Sequence, residues 1–230
     1  KKQVAKERLL RELVEQEEIP YEWVTGKLGV SAQTVRGLEK AGAVRIVSTE
    51  SLRDPVRLAQ ENEEAHARQT RPVLSAEQRR IAEEILADFD AGSPGTYLIH
   101  GITGSGKTEV YMQIVEEMVR RGRQAIVLIP EIALTYQTLL RFYRRFGSRV
   151  SVMNSTLSPG EKYDQCERAK NGEIDVIIGP RSALFTPFPK LGVIIMDEEH
   201  ENSYKSEATP KYHARETAAR LAGMCGATLV

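Results

Sequence analysis

Gly101-Ile102-Thr103-Gly104-Ser105-Gly106-Lys107-Thr108 is the stretch on which the reading of this chain turns. It has the G-x-x-x-x-G-K-[ST] spacing of a phosphate-binding loop. The apolar run Tyr97-Leu98-Ile99-His100 before it predicts a strand, and Glu109 to Val115 after it predicts a helix. In that setting Gly101, Gly104 and Gly106, with Ser105 between them, let successive backbone N–H groups face one hollow, with the positive end of a helix behind it. Lys107 would reach the β- and γ-phosphates of ATP, and the Thr108 hydroxyl would ligate Mg²⁺.

Beyond the loop, apolar runs at 126–129, 150–153, 176–178 and 193–196 alternate with helical stretches at 133–146 and 158–170. Runs rich in Val and Ile with little polar alternation are buried on both faces, which predicts an α/β fold: a parallel sheet with helices on both sides. Ligands of such sheets sit beyond the carboxyl ends of the strands. There the last run is followed by Asp197-Glu198-Glu199-His200. Asp197 is the expected Mg²⁺ carboxylate, Glu198 the group that orients and deprotonates an attacking water, and His200 either a nucleotide-state sensor or a polar residue leaving the sheet. Two other strand ends, Pro130 to Gln137 and Gly179 to Phe185, carry Thr135, Arg181 and Ser182. These could hold the phosphates of a single strand, or simply cap helices and pair on the surface.

Upstream, Ser75-Ala76-Glu77-Gln78 reads as a capping box before Ile81, Ile85, Leu86 and Phe89 at helical spacing. Gln78 could instead, or in turn, pair with adenine. Residues 54–73 read as a polar linker. Before it, 1–53 predicts three short helices and a hairpin, the order of a winged helix. The first helix carries Leu9, Leu10, Leu13 and Val14; Pro20 suits the start of the second; Ser31 caps the third; Val44 to Val47 begin a hairpin with its tip at 49–51. At about 100° per residue, Gln33, Arg36 and Lys40 fall on one side of the third helix and Val35 and Leu38 nearly opposite, so the first three would face a DNA groove or its phosphates. A protein-docking face is the competing reading, since this segment has only ten Lys/Arg against eight Asp/Glu.

Composition sets bounds. Lys plus Arg and Asp plus Glu number 32 each, so net charge gives no case for nucleic acid, although a basic face can sit inside a neutral total. Cys166 and Cys225 are far apart and lack a C-x-x-C partner, which argues against a zinc site or disulfide framework here and fits a cytoplasmic setting. No apolar run approaches the ~18 residues that would suggest a membrane span. The chain starts without Met and ends on Ala227-Thr228-Leu229-Val230, which reads as a piece of something larger.

The loop, PEIALT-x-Q, GPRSALFTPF, DEEH, and Tyr212-His213-Ala214-Arg215 together resemble the primosomal protein N′ (PriA) family of bacterial replication-restart helicases, superfamily 2, from about Leu74 onward. The resemblance implies a RecA-like first helicase lobe after a winged helix, in an ATP- and Mg²⁺-dependent 3′-to-5′ DNA helicase. Its implied partners are forked and single-stranded DNA, the primosome and single-strand-binding protein. It places Gln78 near adenine, and Thr135, Arg181 and Ser182 toward the strand. Glu201 to Lys211 would be a loop coupling DNA binding to hydrolysis, with His200, Tyr204, Lys205, Tyr212 and Arg215 taking part. Zinc is implied only for a second lobe beyond Val230, which would also supply an arginine finger. Tyr136 stands where the family often has proline, and Tyr204 and Tyr212 are the loop's only aromatics. Two alternatives stay open: a RecG-like fork-remodelling translocase, whose group typically reads DEQH, and a nucleotide-switched DNA-binding regulator.

Overall fold

The computed structural model describes residues 2–16, 19, 21–46, 72–102 and 104–230. The chain divides into two compact units at Leu58–Ala59.

In the first unit, α1 (Lys2–Glu15), α2 (Tyr21–Gly26) and α3 (Ala32–Lys40) enclose a small core of Leu9, Val24, Val30, Val35 and Leu38. Ser31 caps α3, its Oγ accepting from the Thr34 N–H at 3.3 Å, and Gly42 turns the chain away at φ 71°. Gln33, Arg36 and Lys40 are exposed while Val35 and Leu38 face inward. Val14 departs from the expected inward stripe and is exposed. It lies about 140° around the helix from Leu9, the residue that reaches the core. Residues 44–46 form no strand, and the Ile46 N–H bonds the Glu39 carboxylate at 3.1 Å instead of a ladder partner. The remainder of the anticipated hairpin, Pro20, and the linker up to Arg71 lie outside the described residues.

The second unit is an α/β layer structure of the RecA-like kind. After α4 (Ala76–Asp90) and α5 (Lys107–Arg120) come β1 (Gln124–Leu128), α6 (Tyr136–Phe146), β2 (Val150–Val152), α7 (Pro159–Lys170), β3 (Val176–Gly179), β4 (Leu191–Met196), α8 (Ala214–Cys225) and β5 (Thr228–Leu229). The sheet order is β2-β3-β1-β4-β5, every pair parallel. Side chains alternate across a strand. Ile126, Leu128, Ile177, Ile194 and Met196 share one core with Ala214, Ala218 and Ala222 of α8. Val127 and Ile195, equally buried, point to the other face, where α5 lies along β1 and β4. The single amide in this apolar sheet, Gln124, is fully engaged: it donates to Ala169 O and Ile174 O, both at 3.2 Å, and accepts from the Lys190 N–H at 2.9 Å. At Gly179 a Cβ would lie 2.0 Å from Met153 O, so only glycine lets the chain leave β3 there.

Tyr97 to His100 are not the strand the sequence predicts. Only Thr96 bridges Leu229, and the ladder consists of Tyr97 N–H to Leu229 O at 2.8 Å and Leu229 N–H to Gly95 O at 3.0 Å. The neighbour in this ladder is β5.

Helices α5 and α6 are clamped by Arg145, whose side chain is 11% exposed. It donates to Glu116 at 2.9 Å, Gln113 at 2.8 Å and Glu109 at 3.3 Å. Removing the guanidinium takes a charge partner from two largely buried carboxylates, a change that costs more than the pair itself contributes. Arg145→Met is therefore expected to lower unfolding stability by about 2–4 kcal/mol, read from the midpoint of urea denaturation.

Candidate nucleotide-binding site

The phosphate loop leads straight into α5, and its conformation depends on glycine. Gly104 and Gly106 stand at φ 80° and 83°, the left-handed region that residues with a Cβ rarely enter. A Cβ on Gly101 would come within 2.6 Å of Ser105 Oγ, and one on Gly106 within 2.5 Å of Gln78 Nε2. The bare backbone is a cradle that side chains would fill, which suits the close approach of a phosphate. Lys107 Nζ folds back to donate to Gly101 O at 2.8 Å and Ile102 O at 3.4 Å. Thr103 lies outside the described residues.

Gln78 does two structural jobs at once. Its Oε1 accepts from the Ser75 N–H at 2.9 Å, completing the capping box of α4, and its Nε2 donates to Ser105 O at 2.8 Å. Each end of the amide makes one bond, leaving a second N–H and a second lone pair. Gln78 thus fills the capping role and in addition braces the phosphate loop.

Asp197 arrives from the neighbouring strand. In register, Leu128 of β1 pairs Met196 of β4, and the Asp197 N–H donates to Leu128 O at 2.9 Å. Burial is the main cause that pushes its carboxyl above the ordinary aspartate range. The hydrogen bond from Tyr111 opposes this, the charge of Glu198 adds to it, and the Glu198 N–H and the Lys107 ammonium pull it back. Tyr111, 4% exposed on α5, holds the carboxylate, its hydroxyl donating to Asp197 Oδ2 at 3.0 Å. The same phenol hydrogen bonds the Thr108 side chain, and burial above all pushes its pKa well above the usual tyrosine value. Tyr111 was not among the residues the sequence singled out. Its spacing was a usable signal, since it follows Lys107 by four and Thr108 by three and so shares their helix face.

Glu198 turns the chain off the sheet at φ 49°, a left-handed conformation that costs a non-glycine residue about 1–2 kcal/mol. The turn is closed by the Glu201 N–H on Glu198 O at 2.9 Å. It leaves the Glu198 carboxylate exposed, with His200 Nδ1 3.7 Å away. Arg215 reaches back to Glu199 at 3.1 Å.

The segment after this turn is tied to the strand ends. Tyr204 is 1% exposed, with its hydroxyl 2.6 Å from Asp197 O and 3.0 Å from Leu128 O. Burial and the nearby carboxylates push that phenol far above the ordinary tyrosine value. Tyr204 therefore cannot stack on a base. A bridge between Lys205 and His213, with the Ser206 N–H on Tyr212 O at 2.8 Å, closes the loop between them. Arg181 is tied to the same loop: its guanidinium donates to Ser203 O and Lys205 O, both at 2.7 Å, and interacts with the Tyr212 hydroxyl. Both backbone bonds come from one guanidinium nitrogen. Tyr212 meets Phe185 edge-on, centroids 5.3 Å apart. Thr135 caps α6, its Oγ1 accepting from the Thr138 N–H at 3.2 Å, and Ser182 is exposed. Thr135 thus has a local task that its position before a helix explains.

The raised Asp197 pKa means that the ionised carboxylate weakens the unliganded fold at neutral pH. Asp197→Asn is expected to raise its melting temperature there. The gain should shrink as pH falls through the window from the raised folded pKa down to the unfolded value near 3.8, where both states carry a neutral acid. Thermal unfolding of both chains from pH 7.5 to pH ~3.5 checks this.

A family model described as "Type III restriction enzyme, res subunit" matches residues 71–223. The replication restart protein PriA of Bacillus subtilis is 43% identical over 205 residues, which are 89% of this chain and 25% of that protein. PriA of Synechocystis is 45% identical over 193 residues, 84% of this chain and 22% of that protein. PriA of Treponema pallidum is 47% identical over 145 residues, 63% of this chain and 22% of that protein. The chain thus spans about a quarter of the length of these curated relatives. Among solved structures, RecG bound to a three-way DNA junction superposes with a TM-score of 0.52 at 24% identity, over 75% of this chain and 25% of RecG, a likeness of fold. The chain belongs to the type III restriction enzyme res subunit family and is similar in sequence to the PriA proteins.

Proposed function

We propose that these residues form the first, nucleotide-binding lobe of an ATP-driven DNA helicase of replication restart, preceded by a small winged-helix unit that contacts DNA. The observation that carries the nucleotide reading is the meeting of the phosphate loop and the β4 carboxylate: Tyr111 touches both Thr108 and Asp197. The DNA, fork and restart reading leans on the likeness to PriA. From that likeness come the remaining partners, the primosome and single-strand-binding protein, and the 3′-to-5′ direction.

In this reading, ATP phosphates take the place of Gly101 O and Ile102 O as partners of the Lys107 ammonium, and the backbone of 104–107 binds them. Thr108 and Asp197 would hold Mg²⁺, which when bound spreads and neutralises phosphate charge. Glu198, exposed at the end of a strained turn, accepts a proton from the attacking water. Tyr204 and Arg181 then connect the strand end to the loop over 203–213. A shift at Asp197 would move that loop, and with it Tyr212, Lys205 and Arg215, against a bound strand. Arg36 and Lys40, exposed with Gln33 on α3, would meet phosphates.

Transition-state charge in related ATPases is met by an arginine finger worth about 10³–10⁵ in rate. The 230 residues alone are accordingly expected to bind ATP and turn it over feebly, with DNA giving little stimulation. In the intact protein, Lys107→Ala should abolish unwinding of a forked duplex in a strand-displacement assay while fork binding persists. Unwinding at the wild-type rate would reject the role of the loop. Arg36→Ala with Lys40→Ala should weaken fork binding and lower the salt slope by about 1 for each phosphate that is no longer neutralised. An unchanged slope would assign this face to protein docking.

A further inference from the structure

We propose that Tyr111 is a positioning residue for the metal site, holding the carboxylate of Asp197 and the hydroxyl of Thr108 in fixed relation before nucleotide arrives. This rests on the reading that Mg·ATP binds at the phosphate loop.

The Tyr111 hydroxyl is buried where an apolar ring would serve the packing. Phenylalanine would fill the same space, and a hydroxyl taken out of water costs stability unless it is partnered. At Tyr111 its partners are not incidental core groups: they are Asp197 Oδ2 at 3.0 Å and the Thr108 side chain. These sit on different elements, 89 residues apart in the chain, one on α5 and one at the end of β4.

The ring is well supported for such a task. It is 4% exposed and packs at 21° and 6.4 Å between centroids against Phe142, itself fully buried on α6. Arg145 fastens α6 to α5 through Glu109 and Glu116, residues on either side of Tyr111. A tyrosine has only two side-chain torsions to fix, so packing of this kind leaves its oxygen nowhere else to go. The oxygen in turn fixes which carboxylate oxygen of Asp197 faces inward. Partners that orient a metal-binding carboxylate typically change metal affinity by about 10–100-fold when removed.

The test is Tyr111→Phe in the 230-residue chain, titrated with a fluorescent ATP analogue in Mg²⁺ and again in excess EDTA. The expected result is an approximately tenfold weaker affinity with Mg²⁺ and a change of less than about twofold without it. In an Asp197→Asn background the same substitution should have little further effect on the Mg²⁺ dependence, because its partner charge is gone. Equal losses with and without Mg²⁺, or a variant that no longer folds, would make Tyr111 a core residue alone and overturn the proposal. Retention of the full Mg²⁺ dependence would overturn it too. If the wild-type chain binds no nucleotide in either condition, the phosphate-loop reading itself fails, and this result is distinct from the others.

Discussion

Strands β1 and β4 lie side by side, parallel and in register, and both end at one edge of a sheet buried on its two faces. Everything chemical in the second unit follows from that edge. The last carbonyls there cannot all be answered by the sheet, so groups from other elements come to them. The Asp197 N–H and the Tyr204 hydroxyl gather at Leu128 O, and Tyr204 also lies against Asp197 O. A chain that must bring a carboxylate, a hydroxyl and a loop of bare amides together thus does so with the same contacts that finish its sheet.

Two structural costs are concentrated at this edge. Asp197 places its carboxyl where burial disfavours charge, and Glu198 holds a left-handed backbone that its side chain resists. Both are borne by the packing around them, where α8 contributes alanines that let it lie close to β4 and β5. Sites that store strain in this way are overdetermined by their surroundings. Here the surroundings are named: the Tyr111 phenol on one side, the Tyr204 hydroxyl on the other.

The inner strands were legible because 126–129, 176–178 and 193–196 are apolar runs between turn residues, and α4 and α6 because Ser75 and Thr135 sit in capping patterns with a local cause. What could not be read were commitments made across long separations. The bonds of Arg181 to Ser203 O and Lys205 O are not announced by spacing, and Tyr204 looks like a stacking aromatic until it is found beneath the strand ends. Gln78 fits two tasks equally well by pattern, and its bond to Ser105 O, 27 positions away, is a third that spacing does not announce.

Arg181 grips the loop by its backbone. A guanidinium that holds carbonyl oxygens is indifferent to which side chains the held residues carry, since every amino acid presents the same acceptor. Positions 203 and 205 are therefore decoupled from the bonds that anchor them. Substitution there can retune charge, bulk or chemistry at the outer surface while the backbone path is preserved. A fixed mount with interchangeable fittings is what lets one scaffold meet many different surfaces, and this loop has that construction.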